Sequence, residues 1–139
     1  MHWLAALAPI ACCMKYPEPE MSEAQLQVAV ARYLDAVLRP PVLWTSIDAG
    51  AGKMRPRTAN QRKRRGVKKG WPDILIMAPG PSVMGLELKT SKGTLLPEQI
   101  AMEQAFFNCK AWFVTCRSVN DVERALAFLK MLPKPQEAA

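Results

Sequence analysis

Apolar and polar positions follow two different periods along this chain, and each change of period marks an expected change of element. Leu26, Ala29, Val30, Tyr33, Leu34, Val37 and Leu38 recur at helical spacing. Ser22-Glu23-Ala24-Gln25 ahead of them reads as a capping box, and Arg39-Pro40-Pro41 stops the helix. Val42 to Ile47, rich in branched and aromatic residues, reads as a strand. Two further apolar runs flank Ala78-Pro79-Gly80-Pro81, a turn that folds the second back antiparallel on the first. After a loop over Thr90 to Thr94, Pro97 opens a helix to about Asn108, with Ile100, Ala101, Gln104, Ala105 and Phe107 as its stripe. Ala111 to Cys116 reads as a buried strand. Ser118-Val119-Asn120-Asp121 starts a last helix through Ala125, Leu126, Phe128, Leu129 and Met131, ended by Pro133. The order is helix, strand, polar stretch, strand, strand, helix, strand, helix, which specifies an α/β sandwich with a small mixed sheet.

The 139 residues suffice for one core. Residues 1–20 read as a peripheral extension, with Met14 or Met21 as alternative starts, 21–133 as the domain, and 134–139 as a frayed tail. The apolar segment of residues 1–14 is too short to span a membrane and lacks the basic residues of a secretory signal. Cys12, Cys13, Cys109 and Cys116 show no CxxC spacing and His2 is the sole histidine, so the thiols read as free or buried in a reducing compartment. The same scarcity of histidine argues against a zinc site and against Ser-His or Cys-His catalysis.

Charge adds a second theme. Nineteen Lys and Arg against 12 Asp and Glu give a net +7. The excess is concentrated between Asp48 and Gly70, where Lys53, Arg55, Arg57, Arg62, Lys63, Arg64, Arg65, Lys68 and Lys69 occur with no intervening acid. Such a stretch cannot bury itself, although Thr58 to Arg65 can form a short helix. Its plain reading is solvated charge; its functional reading is a set of phosphate contacts with little base preference and strong salt dependence. That the stretch leads directly into Asp73 favours the second.

Asp73 opens the first run of the hairpin, and Glu87 and Lys89 close the second. Side chains two apart on a strand share a face, so Glu87 and Lys89 point one way while Leu86 and Leu88 point the other. Folding brings Glu87 towards Asp73. Paired carboxylates repel unless a cation lies between them, and hard oxygen donors suit Mg²⁺ or Mn²⁺. Glu23 has two readings. It falls on the buried side of the first helix, serving either the helix dipole or the carboxylate pair.

Taken together, Glu23 with Gln25-Leu26-Gln27, then Gly70-x-Pro72-Asp73, Glu87-x-Lys89, Gly93 and Pro97-Glu98-Gln99 resemble the VRR-NUC domain of the PD-(D/E)XK nuclease superfamily. The resemblance spans Ser22 to Met131 and implies a restriction-endonuclease-like α/β sandwich. It further implies metal-dependent endonucleolytic cleavage of DNA by Mg²⁺ or Mn²⁺. Asp73, Glu87, the main-chain carbonyl of Leu88 and Glu23 would be the ligands. Lys89 would orient water or stabilise phosphate charge, and Gln99 would support the site. Stand-alone domains of this type resemble phage and prophage nucleases, which implies the cytoplasm of a bacterial host and a homodimer acting on branched DNA. The competing expectation is an inactive nucleic-acid-binding module that uses only the basic stretch. Two residues depart from the pattern: Trp71, where small or aliphatic residues are usual, and Leu96, where Ser or Thr often caps the helix. Trp71 reads first as core, then as a base-stacking platform, then as an interface residue.

Overall fold

A computed structural model of the chain describes residues 20–47 and 55–130. Residues 1–19, Lys53, Met131 and the tail therefore lie outside the described residues, as do His2, Cys12 and Cys13. The elements in chain order are α1 (Glu23–Val37), β1 (Leu43–Ser46), α2 (Pro56–Arg64), β2 (Ile74–Ala78), β3 (Ser82–Leu88), α3 (Pro97–Asn108), β4 (Trp112–Cys116) and α4 (Val119–Phe128). The strands form one sheet of order β1-β2-β3-β4. β1 and β2 pair antiparallel, as do β2 and β3, while β3 and β4 run parallel with α3 as the crossover between them. This is the small mixed sheet flanked by helices that the apolar pattern specifies. Among the described residues no helix is long and apolar enough to cross a membrane.

One face of the sheet carries the main core. Ile74, Ile76, Met84, Leu86, Leu88 and Cys116 meet Leu26, Val30, Leu34 and Leu38 from the α1 side and Val122 and Leu126 from α4. Full burial of an aliphatic side chain is worth about 1.5–3 kcal/mol, so this layer dominates the stability of the domain. α1 begins at the expected capping box: the Ser22 N–H donates to Gln25 Oε1 at 2.9 Å, and the Gln25 N–H donates to Ser22 Oγ at 3.2 Å. Burial pushes the Cys116 thiol up to about 12, which makes it a packing residue.

The opposite face is covered by α3, rotated from its expected setting. Ile100 and Phe107, assigned to the buried stripe by spacing, are 53% and 72% exposed. Phe106 is the buried residue, packed edge-on against Trp71 and Phe113 at ring separations of 5.6 and 5.5 Å. The cause lies in the sheet. A Cβ at Gly85 would stand 2.5 Å from Pro72 Cγ and 2.9 Å from Phe106 Cε2, so the bare glycine makes the room that both rings fill. Gln99, Met102 and Phe106, at i, i+3 and i+7, therefore turn inward.

The basic stretch forms the short helix that Thr58 to Arg65 can form, with bounds shifted towards its N-terminus. Pro56 to Arg64 is helical, starting two residues before the expected Thr58 because proline is pre-organised for the first helical position. α2 buries none of its residues. α4 ends at Phe128 with Leu129 as its C-cap, where the expected helix included Leu129; the expected Met131 lies outside the described residues.

Candidate active site

The hairpin delivers the carboxylates. Ile74 pairs with Leu86, which sets Asp73 opposite Glu87 just beyond the last β2–β3 pair. The main chain of Asp73 is fixed from the other side, its carbonyl accepting from the Ile47 N–H at 2.7 Å. Its carboxylate oxygen Oδ2 accepts from the Leu88 N–H at 2.7 Å. The approach to Asp73 is pinned as well. Gly70 has φ +84°, and a Cβ there would fall 2.3 Å from the Glu98 carbonyl oxygen, so the chain passes directly over the first turn of α3. Only glycine combines that φ with that proximity.

Glu87 is 1% exposed. Its Oε1 accepts from Gln99 Nε2 at 2.5 Å and lies 3.1 Å from Lys89 Nζ. The Gln99 amide is held at both ends, since its Oε1 accepts from the Leu96 N–H at 2.8 Å. Gln99 thus supplies the helix cap that Leu96 cannot, and its remaining donor is aimed at Glu87. Lys89 is 7% exposed and also reaches Glu23 Oε1, at 3.8 Å. The Glu23 side chain, expected on the buried side of α1, is 52% exposed. As the first residue of α1 it precedes the helix's packed stripe and extends past it, still directed at Lys89.

Glu87 Oε2 is buried and has no hydrogen-bond partner among the described residues. This is the most telling atom of the site, because a buried acceptor without a donor is costly. Burial, followed by repulsion from Asp73, raises the Glu87 carboxyl from its ordinary 4.5 to about 7, against the lowering pull of Lys89. Asp73 is likewise raised, chiefly by burial, with the Leu88 N–H and Lys89 opposing. Two neighbouring carboxylates that both resist ionisation form a place where a divalent cation relieves the largest unfavourable terms. Among the described residues no group of three His, Cys, Asp or Glu side chains is gathered tightly enough to hold a metal by side chains alone.

Four of the residues expected at the site form one network, Glu87 to Gln99 and Lys89 and Lys89 to Glu23, while Asp73 is held separately by the Leu88 N–H on the strand that carries Glu87. Arg55, Arg57, Arg62, Lys63, Arg64 and Arg65 lie on or at the ends of α2, and Lys68 and Lys69 in the turn that follows it. Apart from the half-buried Arg62, these side chains are exposed. Trp71 is not the core residue first expected: its ring meets Phe106 edge-on, but 37% of the residue is exposed, which leaves it at the rim of the α3-covered face. Sequence reading missed Phe106, which turns the Gln99 face of α3 towards the sheet. Its signal was a glycine in the middle of a strand, which marks a close approach.

No family model and no curated protein matches the chain. Among solved structures, a protein named VRR_NUC domain protein superposes with a TM-score of 0.59 at 18% identity. The match covers 80% of this chain and 90% of that one. The two chains share a fold. That shared fold is a small mixed four-stranded sheet flanked by helices, in keeping with the α/β sandwich expected from the sequence.

Proposed function

We propose that the protein is a divalent-metal-dependent endonuclease that hydrolyses DNA phosphodiester bonds, with Mg²⁺ or Mn²⁺ as its ion. The observation that carries this reading is the buried, partnerless Glu87 Oε2 beside Asp73. Asp73 and Glu87 would hold the ion, joined by the Leu88 carbonyl and by Glu23 directly or through water. The Leu88 N–H points towards Asp73, and N–H and C=O of one strand residue face the same edge, so its carbonyl is turned the same way. The bound ion would neutralise phosphate charge and make water a stronger nucleophile at neutral pH.

The chain's own groups do the rest. Lys89, held between Glu87 and Glu23, offers a cation to the non-bridging oxygens as charge builds on the phosphorus. Gln99 fixes Glu87 Oε1 and leaves Oε2, which has no hydrogen-bond partner among the described residues, to take the ion. The exposed basic side chains of α2 and the turn after it would engage flanking phosphates, which binds duplexes without reading bases. The resemblance further supports a homodimer with a preference for branched DNA.

The test is cleavage of supercoiled plasmid, linear duplex and a four-way junction in Mg²⁺, Mn²⁺ or EDTA, with Glu87→Ala beside the wild type. Cutting by the wild type alone, and only with metal, is expected. Metal-independent DNA binding with no cleavage of any substrate would instead favour the binding-module reading.

A further inference from the structure

Glu23, Glu87 with Lys89, and Gln99 arrive on three separate elements, and the turn after β3 is where those elements are tied together. It leaves the sheet directly at Lys89 and leads into α3, which carries Gln99. Its own bonds are short-range: the Gly93 N–H donates to the Thr90 carbonyl and to Thr90 Oγ1, each at 3.1 Å. The turn lies against the lysine stem, since a Cβ on Gly93 would stand 3.4 Å from Lys89 Cδ. Ser91 Oγ donates to Glu20, three residues ahead of Glu23.

The remaining tie comes from Arg117, the residue after β4. Its Nη1 donates to the Thr90 carbonyl and, at 2.7 Å, to the Gly93 carbonyl. Its base is fixed twice. The Arg117 N–H donates to Asp121 Oδ2 at 2.9 Å, and the preceding Cys116 carbonyl accepts from the Lys89 N–H at 3.0 Å. The guanidinium therefore spans the turn from a strand already registered to Lys89.

We propose that Arg117 is a positioning residue: by holding the Thr90 and Gly93 carbonyls together it sets where the Lys89 ammonium and the Gln99 amide stand relative to Glu87. A guanidinium suits this task because it is always charged and presents several donors in a rigid plane. Its hydrogen bonds go to the turn and to neither carboxylate, so its removal leaves the proposed ligands in place. The kinetic part of this inference rests on the nuclease reading; the structural part does not.

The experiment uses the full chain as Arg117→Ala and Arg117→Lys, with Gln99→Ala to assign the Gln99 side-chain amide signals in ¹⁵N spectra. In Arg117→Ala the Gln99 amide signals are expected to move towards those of a free side-chain amide while core amides such as Ile76 and Leu86 stay in place. Turnover on plasmid DNA in Mn²⁺ is expected to fall about 10- to 100-fold, the scale of a small misplacement, with KM and Mn²⁺ affinity little changed. Arg117→Lys should recover part of both effects, and it keeps the test open if the alanine variant does not fold. Unmoved Gln99 signals overturn the proposal. A rise in KM at unchanged turnover also overturns it, making Arg117 a phosphate contact. A wild type that cuts nothing removes the nuclease reading, while the Gln99 signals still decide the role of Arg117.

Discussion

Replacing Glu87 by glutamine should make the metal-free protein more stable. The side chain is 1% exposed, and its carboxyl is raised from 4.5 to about 7 by burial and by Asp73. An acid whose folded pKa lies above its unfolded one stabilises the fold relative to high pH only while protonated. The advantage is complete below pH 4.5, is lost as pH rises towards 7, and does not return above it. A rise of that size corresponds to about 3 kcal/mol surrendered across the window. Lys89 and Gln99 approach one carboxylate oxygen, Oε1, and Lys89 and Glu23 are the other charged groups around the pair with Asp73. Glu87→Gln keeps that acceptor and removes the ionisation, but it sets an N–H where Oε2 lacks a partner, at about 1 kcal/mol. The net expectation is a gain of about 1–3 kcal/mol at pH 8, vanishing near pH 4.5. Urea unfolding of wild type and Glu87→Gln at both pH values, without metal, measures it. Equal stability of the two proteins at pH 8 would refute the claim that Glu87 is a strained carboxylate. Saturating Mn²⁺ should stabilise the wild type and leave Glu87→Gln nearly unchanged, because only the wild type has a charge to compensate.

Other consequences are independent of this one. Asp73→Ala should lower cleavage by about 100-fold or more while leaving DNA binding intact, as read by gel shift in Ca²⁺ beside cleavage in Mn²⁺. Changing Lys63, Arg64 and Arg65 together to glutamine should weaken binding to all sequences and flatten the slope of log affinity against log salt by about 0.9 for each phosphate that is no longer neutralised. Gly70→Ala should cost about 2 kcal/mol or more in urea unfolding, since φ +84° and the Glu98 carbonyl both exclude a Cβ.

The parts of the structure legible beforehand are those that one element decides for itself. The α1 stripe, its Ser22–Gln25 box and the antiparallel hairpin are local, and each formed as its pattern specified. The rotation of α3 was not local. Phe106 and Phe107 are equivalent as hydrophobes, and only the space at Gly85, shared with Pro72, selects the first. The resemblance put Glu23 with Lys89 and Glu87, and it does lie against Lys89, but its exposure, which comes from starting its helix, was not legible. The tie between Arg117 and the carbonyls at Thr90 and Gly93 joins residues distant in sequence, and an arginine after a strand carries no local sign of its partner.

The same alternation that builds the core also fixes the chemistry. Met84, Leu86 and Leu88 face α1 and α4, while Gly85 and Glu87 face α3. A slip of β3 by one residue would drive Glu87 into the aliphatic layer and turn three large apolar side chains towards Gln99. The apolar residues therefore specify the register of the carboxylate as firmly as they specify packing. Glu87 can be held in an unfavourable environment because its neighbours on both sides in sequence are among the most deeply buried residues of the domain. The cost at Glu87 is confined to one side chain, whereas moving it would forfeit several buried ones, each worth about 1.5–3 kcal/mol. A partnerless carboxylate oxygen is thus stable in place without being satisfied, and the proposed ion would find its acceptor already held there.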